Sequence, residues 1–179
     1  METAAVYYES KIKTYGFQET SDLSLFRINI QPDRLNEWSM RVAAFEDSNI
    51  PFKLVLLQNP DDSGLHLFLL SENKWESDIL NHFMKFIQEH TQESIKVESP
   101  VEMVYFHGPH YGDRYGIAHY VFQIFAEKEI PIIVCACSGA AVYLVMPCDS
   151  LKKARPVLTE AFEIPKSVDD SIRYGKKCS

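Results

Sequence analysis

The residue types best suited to chemistry are two histidines and two cysteines in the second half of the chain. His107 and His110 form a His-x-x-His pair, and Cys135 and Cys137 alternate along a predicted strand, which places both thiols on one side of it. Zinc prefers nitrogen and sulfur ligands in tetrahedral sets, so these four side chains could form a zinc site. However, the spacing is not that of a common zinc knuckle, and a cysteine in a buried strand behaves as a small hydrophobe. We therefore predict no metal site.

Nucleophilic catalysis is a second hypothesis, because Cys137 or Ser138 could be paired with His107 or His110. The sequence has no nucleophile elbow, no phosphate-binding loop and no paired-carboxylate signature. Thiol redox catalysis favours Cys-x-x-Cys, whereas this chain has Cys-x-Cys. We therefore predict no catalytic residue, no cofactor and no enzymatic activity.

Ligand binding fits one glycine-containing loop better. Gly116 lies where a predicted strand gives way to a predicted helix. A glycine there can adopt a positive φ and lets a ligand approach the main chain, while amides at a helix N-terminus favour a carboxylate. The alternative is that Gly116 only begins the helix and that Arg114 is a solvated surface charge.

Hydrophobic periodicity predicts the elements that position this loop. The first half predicts strands over 23–30, 51–57 and 65–70 and helices over 35–48 and 75–90. The second half predicts strands over 101–106, 131–137 and 140–146 and helices over 117–129 and from Ser150 onward. We also predict a short helix over 4–13, a polar linker over 91–99 and a polar tail from 166.

The two halves are an internal repeat. Asp33-Arg34 and Ile50-Pro51 recur, with one constant offset, as Asp113-Arg114 and Ile130-Pro131, and both halves predict the order β-α-β-β-α. With a closing strand this is the ferredoxin-like βαββαβ arrangement, an α+β fold with an antiparallel sheet and helices on one face. The predicted boundaries are an N-terminal helical extension over 1–20, modules over 21–92 and 99–166, and a tail over 167–179.

Composition excludes several classes of protein. The 179 residues are 46% hydrophobic and 12% aromatic, which is typical of a globular protein with a real core. A formal net charge of −7 argues against nucleic acid as a partner. No apolar stretch reaches the ~20 residues that span a bilayer, and no signal peptide is recognisable, so we predict no membrane association. Four cysteines in such a chain predict reduced thiols in the cytoplasm.

Residues 101–165 contain a series of motifs: Gly112-Asp-Arg-Tyr-Gly-Ile-Ala118, Ala126-Glu-Lys-Glu-Ile-Pro131, Cys137-Ser-Gly139, the strand Val142-Tyr-Leu-Val-Met-Pro147 and Ala161-Phe162. With these motifs the segment resembles the regulatory ACT domains of aspartate kinases. Tyr115 stands where the family commonly has proline. Residues 23–90 look like a second, more divergent copy. A kinase domain does not fit in 179 residues, so the resemblance implies no kinase activity.

The resemblance implies a small-molecule sensor, most often for an amino acid, whose sheets pair side by side with the effector at the seam between modules or subunits. It implies these ligand-binding residues: Tyr111, Asp113, Arg114, Gly116, Ile117, Ala118, Pro131, Ile132, Ile133 and Ser138. The chain departs from the family in lacking an acid near the second strand for the ligand's ammonium, a role that Asp113 could take.

The repeat assigns different roles to its two copies. Asn36 and Trp38 of the first copy stand where the second has Gly116 and Ala118, and a bulky indole would fill a ligand site. We therefore predict a stand-alone tandem ACT-like regulatory homodimer that binds an amino-acid effector through its second copy. The alternative is a ligand-free protein–protein interaction module.

Overall fold

A computed structural model describes residues 11–61, 64–87, 93–109, 111–113 and 116–164. In chain order its elements are β1 (Ile12–Lys13), β2 (Phe17–Ile30), α1 (Leu35–Ala43), β3 (Leu54–Asp61), β4 (Gly64–Glu72), α2 (Glu76–Ile87), β5 (Ser94–His107), α3 (Ile117–Glu127), β6 (Val134–Cys137), β7 (Ala141–Pro147), α4 (Leu151–Ala161) and β8 (Phe162–Glu163). Short 3-10 turns at Pro32–Arg34, Asn73–Trp75 and Tyr111–Asp113 precede α1, α2 and α3. The predicted tail over 167–179 lies outside the described residues.

The chain divides into two compact units. One comprises Thr20–Glu102, and the other comprises Met1–Glu19 together with Met103–Ser179. We call them the inner unit and the outer unit, because the first is continuous in sequence and interrupts the second. Both boundaries fall inside a long strand, β2 or β5, and these boundaries differ from the predicted ones.

The inner unit has the order β-α-β-β-α-β and the strand order β3-β4-β2-β5. β4 pairs antiparallel with both β2 and β3. Its core takes alternate residues of the strands, such as Phe26, Ile28 and Ile30, together with Phe83 of α2. Alternate residues share one face of a strand, so the helices cover a single face of the sheet. This confirms the predicted ferredoxin-like fold.

The outer unit has the same architecture, but one of its strands, the start of β2, comes from the chain segment before the inner unit. Its strand order is β2-β5-β7-β6, with residues 17–19 of β2 and 103–107 of β5 belonging to it. α3 and α4 bury one stripe each in its core, for example Val121 and Leu158. A separate parallel pair joins β1 to β8, with Ile12 opposite Phe162.

Two sequence expectations are wrong at the junctions. Ile12–Lys13, the end of the predicted N-terminal helix, is strand, while residues 1–10 lie outside the described residues. The predicted linker over 91–99 becomes strand from Ser94 onward. Ile95 and Val97 alternate with polar residues and pack against the inner core, which is the pattern of a half-buried strand.

The repeat itself is confirmed at the level of single residues. β3 begins at Leu54 and β6 begins at Val134, the same offset that separates the sequence markers. Asn49 and Glu129 both adopt a left-handed conformation, with φ of 53° and 54°. The residue after each of them donates its backbone N–H to a phenylalanine carbonyl in the preceding helical turn, at 3.1 Å to Phe45 and 2.9 Å to Phe125. This turn follows the end of α1 at Ala43, earlier than predicted.

Across the part of the chain that the structure describes, no helix is both long and apolar enough to cross a membrane.

Candidate functional site

The entry to α3 is built around Gly116. This residue is the N-cap, with φ 88° and ψ 5°, and its carbonyl accepts the first helical hydrogen bond from the N–H of Tyr120 at 2.9 Å. Residues with a Cβ rarely adopt this left-handed conformation. A Cβ built at Gly116 would meet no heavy atom within 4 Å, so open space adjoins the glycine. The constraint at this position is therefore the backbone angle.

Two other glycines bring the surrounding loops together. A Cβ at Gly108 would lie 2.3 Å from the carbonyl oxygen of Lys13 and 2.4 Å from the ring of Tyr111. A Cβ at Gly112 would lie 3.0 Å from the carbonyl oxygen of Gly139. The loop after β5 therefore packs tightly against the turn between β6 and β7, and a larger residue at Gly108 would displace backbone.

The β6–β7 turn is held by Ser138. Its backbone N–H donates to the carbonyl of Ala141 at 2.9 Å, and its hydroxyl oxygen accepts from the N–H of Ala141 at 3.1 Å. These bonds fix the turn that faces the entry to α3. Because its hydroxyl is engaged in this way, Ser138 positions the turn.

A cavity of about 220 Å³ lies between this turn and the helix entry. It is lined by Tyr111, Gly116, Ile117, Ala118, Cys137, Ser138 and Val142. Five of the residues expected at a ligand site thus come together here. The sequence analysis did not predict Cys137 and Val142 as lining residues. The two are paired across the β6–β7 hairpin. A predicted hairpin could have indicated Val142, because the pairing places it beside the end of β6.

The other expected residues lie elsewhere or outside the described residues. Pro131, Ile132 and Ile133 do not line the cavity, because β6 begins only at Val134 and they precede it. Ile132 packs against the core of the outer unit. Asp113 ends the 3-10 turn, but its side chain and the whole of Arg114 lie outside what the structure describes.

Cys137 is the only cysteine among the described residues that line the cavity. Its Sγ lies 3.6 Å from that of Cys135. A hydrogen bond from the Cys135 thiol lowers the pKa of Cys137 to about 7, although burial acts in the opposite direction. The same hydrogen bond, followed by burial, raises the pKa of Cys135.

The four residues of the zinc hypothesis are only partly described by the structure. His110 lies outside the described residues, and among those described no three His, Cys, Asp or Glu side chains gather as a metal-binding group. The ring of His107 lies against the rings of Tyr15 and Tyr105, with centroids 5.2 and 5.5 Å away. His107 therefore has a packing role.

The inner unit has Trp38 at the position equivalent to Ala118. This side chain is 1% exposed, and its ring lies 5.2 Å from those of Phe83 and Phe86. Its Nε1 donates to Glu93 Oε1 at 2.9 Å, and Arg34 Nη1 donates to Glu93 Oε2 at 2.5 Å. Trp38 is thus a core residue whose indole N–H is satisfied by a buried carboxylate.

The fold is similar to that of aspartate kinase regulatory subunits. The regulatory subunit from Thermus flavus aligns with a TM-score of 0.72 at 14% identity, covering 83% of this chain and 98% of that one. The ligand-free regulatory subunit from Thermus thermophilus aligns at 0.71 and 15% identity, covering 84% and 99%.

Complete kinases contain the same fold as a part. Aspartate kinase from Synechocystis aligns with a TM-score of 0.72 at 19% identity, covering 90% of this chain and 29% of the kinase. No family model and no curated protein matches the chain. The resemblance predicted from the motifs is confirmed at the level of the fold.

Proposed function

We propose that this chain is a regulatory protein without catalytic activity, whose outer unit binds a free amino acid in the cavity beside Gly116. The observation that carries the proposal is the coincidence of an open cavity with the N-terminus of a three-turn helix. The fold, shared with aspartate kinase regulatory subunits, supports a regulatory role.

The helix entry suits the carboxylate of the ligand. The first amides of a helix lack intrahelical acceptors, and the helix dipole favours an anion beside them. The N-cap is a glycine, so no N-cap side chain covers these donors. We assign the carboxylate to the backbone N–H groups of Ile117 and Ala118, as in other anion sites at helix N-termini.

The size and lining of the cavity indicate which kind of side chain the bound amino acid carries. Drug-sized ligands occupy pockets of about 300–1,000 Å³, so a cavity of about 220 Å³ fits a smaller molecule. None of the described residues that line it carries a permanent charge, and Ile117 and Val142 are aliphatic. We therefore expect amino acids with small uncharged side chains to bind better than those with charged ones.

The ligand's ammonium has no carboxylate partner among the described lining residues. The sequence places Asp113 in the adjoining loop, and we assign the ammonium to it. We further propose a cytoplasmic homodimer, since β3 and β6 each end the strand order of their unit and an edge strand invites pairing.

The alternative is a ligand-free interaction module. It is supported by the inner unit, where Trp38 packs into the core at the equivalent helix entry. Tyr111 differs, because it is buried and yet lines the cavity. The two residues therefore favour different roles for the two units, and binding in the outer unit is the better-supported function.

A thermal-shift screen of the twenty amino acids and the nucleobases tests the proposal, since a ligand that binds only the folded state raises the melting temperature. Amide chemical shifts then locate the site. We expect changes at Gly116, Ile117 and Ala118, with Asn36 and Trp38 as internal controls that do not move. If no compound raises the melting temperature, or if only the inner-unit amides respond, the proposal is wrong.

A further inference from the structure

Cys135 and Cys137 form a close thiol pair on β6. They occupy alternate positions of one four-residue strand, and their Sγ atoms are 3.6 Å apart. β6 ends the strand order of the outer unit and pairs with β7. A short strand with one hydrogen-bonded neighbour can change its local twist more easily than a central strand.

The two thiols differ in access and reactivity. Cys137 is exposed and faces the cavity, whereas Cys135 is half-buried and packs against the core of the outer unit. The thiolate is the form that reacts with oxidants and electrophiles. With its pKa lowered to about 7 by the hydrogen bond from Cys135, Cys137 is the reactive member of the pair.

We propose that Cys135 and Cys137 are a reversible redox pair, which hydroperoxides oxidise to a disulfide and whose oxidation closes the effector cavity. The pair itself stands on the distance between the thiols and on the access to Cys137. Its effect on the cavity rests on the function proposed above, because it concerns the same site.

The chemistry needs only a hydroperoxide as oxidant. The Cys137 thiolate attacks the peroxide, an S–O bond forms as the O–O bond breaks, and the leaving alkoxide or hydroxide takes a proton from water. The resulting sulfenic acid carries the two-electron oxidation. Cys135 then loses its proton and attacks this sulfur, the S–O bond breaks, and hydroxide leaves with that proton as water.

The disulfide would alter the cavity wall. Alternate residues of a strand are about 6.6 Å apart at Cα, near the upper end of the range of about 4.4–6.8 Å seen for disulfides. Closing the bond must bring the two Sγ atoms from 3.6 Å to about 2.0 Å, which draws in the end of β6 where it continues into the Ser138 turn. Cys137 is also exposed, and an exposed disulfide is more easily reduced by thiols than a buried structural one.

Peptide mass mapping of the full chain tests the pair. A Cys148→Ser variant is the assay protein, because cleavage after lysine otherwise leaves Cys135, Cys137 and Cys148 in one peptide, separate from Cys178. After treatment with hydrogen peroxide, we expect this peptide to lose the mass of two hydrogen atoms and dithiothreitol to restore it. An unchanged mass, or irreversible overoxidation of Cys137, overturns the proposal.

The Cys148→Ser/Cys135→Ser double variant tests whether Cys135 resolves the sulfenic acid. Without the second thiol, a dimedone adduct should accumulate on Cys137 to several times its level in the Cys148→Ser chain. Equal trapping in the two chains overturns the assigned role of Cys135.

Calorimetric titration with the amino acid found in the screen tests closure. We expect affinity at least tenfold weaker in the peroxide-treated Cys148→Ser chain, with recovery after dithiothreitol. Equal affinities overturn the closure of the cavity. If the reduced chain binds no amino acid, the proposed function fails, while the mass measurement still decides the existence of the redox pair by itself.

Discussion

The entries to α1 and α3 lie at equivalent places in the repeat but differ in their residues and their surroundings. In the inner unit, Trp38 packs into the core against Phe83 and Phe86, and its indole N–H donates to the buried carboxylate of Glu93. In the outer unit, the equivalent residue is Ala118, and a cavity of about 220 Å³ lies in front of it. One position, equivalent in the two copies of the repeat, therefore carries a buried core ring in the inner unit and lines a cavity in the outer unit.

The backbone differs along with the side chain. α1 begins at Leu35, directly after its 3-10 turn, so that Asn36 is already helical. α3 begins at Ile117, after a left-handed Gly116. The inner unit also supplies its own carboxylate, Glu93, held by Arg34 and Trp38. We propose that Trp38 serves the stability of the inner unit, while the entry to α3 keeps its first amides available to a ligand.

Replacing Trp38 by alanine should have the largest effect on stability. The substitution removes a fully buried ring and leaves a cavity, which costs about 3–5 kcal/mol in the free energy of unfolding. Urea denaturation measures this cost, with Phe122→Ala, at a position 46% exposed, as the control expected to change little. The Trp38→Ala chain should gain no amino-acid binding in the inner unit, because the Glu93 carboxylate would repel that of a ligand. Equal effects of the two substitutions would contradict the core role of Trp38.

Glu93→Gln should have the next largest effect. It removes the buried one of the two carboxylates that pair with Arg34, whose side chain is 12% exposed, at a cost of about 2 kcal/mol. Glu37→Gln is the matched control. Glu37 also pairs with Arg34 but is 51% exposed, so its loss should cost no more than about 0.5 kcal/mol. Comparable losses of stability in the two variants would show that burial of Glu93 does not set the strength of its interaction with Arg34.

Gly116→Ala should destabilise the outer unit by about 1–2 kcal/mol, because alanine is strained in a left-handed conformation. It should also weaken effector binding by distorting the amides of α3. Gly139→Ala is the control, since a Cβ there would meet its nearest neighbour at an ordinary 3.8 Å. Thermal unfolding and titration distinguish the two variants. If Gly116→Ala changes neither stability nor binding, the left-handed backbone of Gly116 is not what shapes this site.

The change expected to affect stability least concerns Cys135, and its measurable effect is on the pKa of Cys137. Alkylation requires the thiolate, so its rate should rise with pH and level off above a midpoint of about 7. Cys135→Ala removes the hydrogen-bond donor and should move the midpoint up toward the ordinary thiol value of 9.0. Iodoacetamide labelling followed by mass spectrometry measures both profiles. A midpoint that stays in place would mean that Cys135 does not set the acidity of Cys137.

The repeat made most of the fold predictable from sequence. Its markers, Ile50-Pro51 and Ile130-Pro131, follow identical turns, and the strands after them begin at equivalent positions of the two copies. The repeat did not predict that the inner unit interrupts the outer unit in sequence. This interruption depends on β2 and β5 each contributing residues to both units. The polar residues 94 and 96 also concealed the half-buried Ile95 and Val97.

The candidate site was predictable where it depended on backbone chemistry. Gly116, Ile117 and Ala118 line the cavity, and they could be predicted because a glycine at a helix entry permits a positive φ and close approach of a ligand to the main chain. On the β6 side, we predicted Pro131, Ile132 and Ile133 as ligand contacts, but β6 begins only at Val134. The apolar residues that precede the strand have the same hydrophobic pattern as the strand itself. Cys137 and Val142 depend on hairpin register, which periodicity does not define to one residue.

The central claim is that the residue at position 118 decides whether the entry is open. Calorimetric titration of Ala118→Trp, which carries the inner unit's residue into the outer one, tests it most directly. His119→Trp is the matched control, placing the same indole on an exposed neighbour outside the cavity. We expect Ala118→Trp to fold and to bind the effector more than tenfold more weakly than the native chain, a loss above about 1.4 kcal/mol, while His119→Trp binds normally. Native affinity in a folded Ala118→Trp chain would contradict the account.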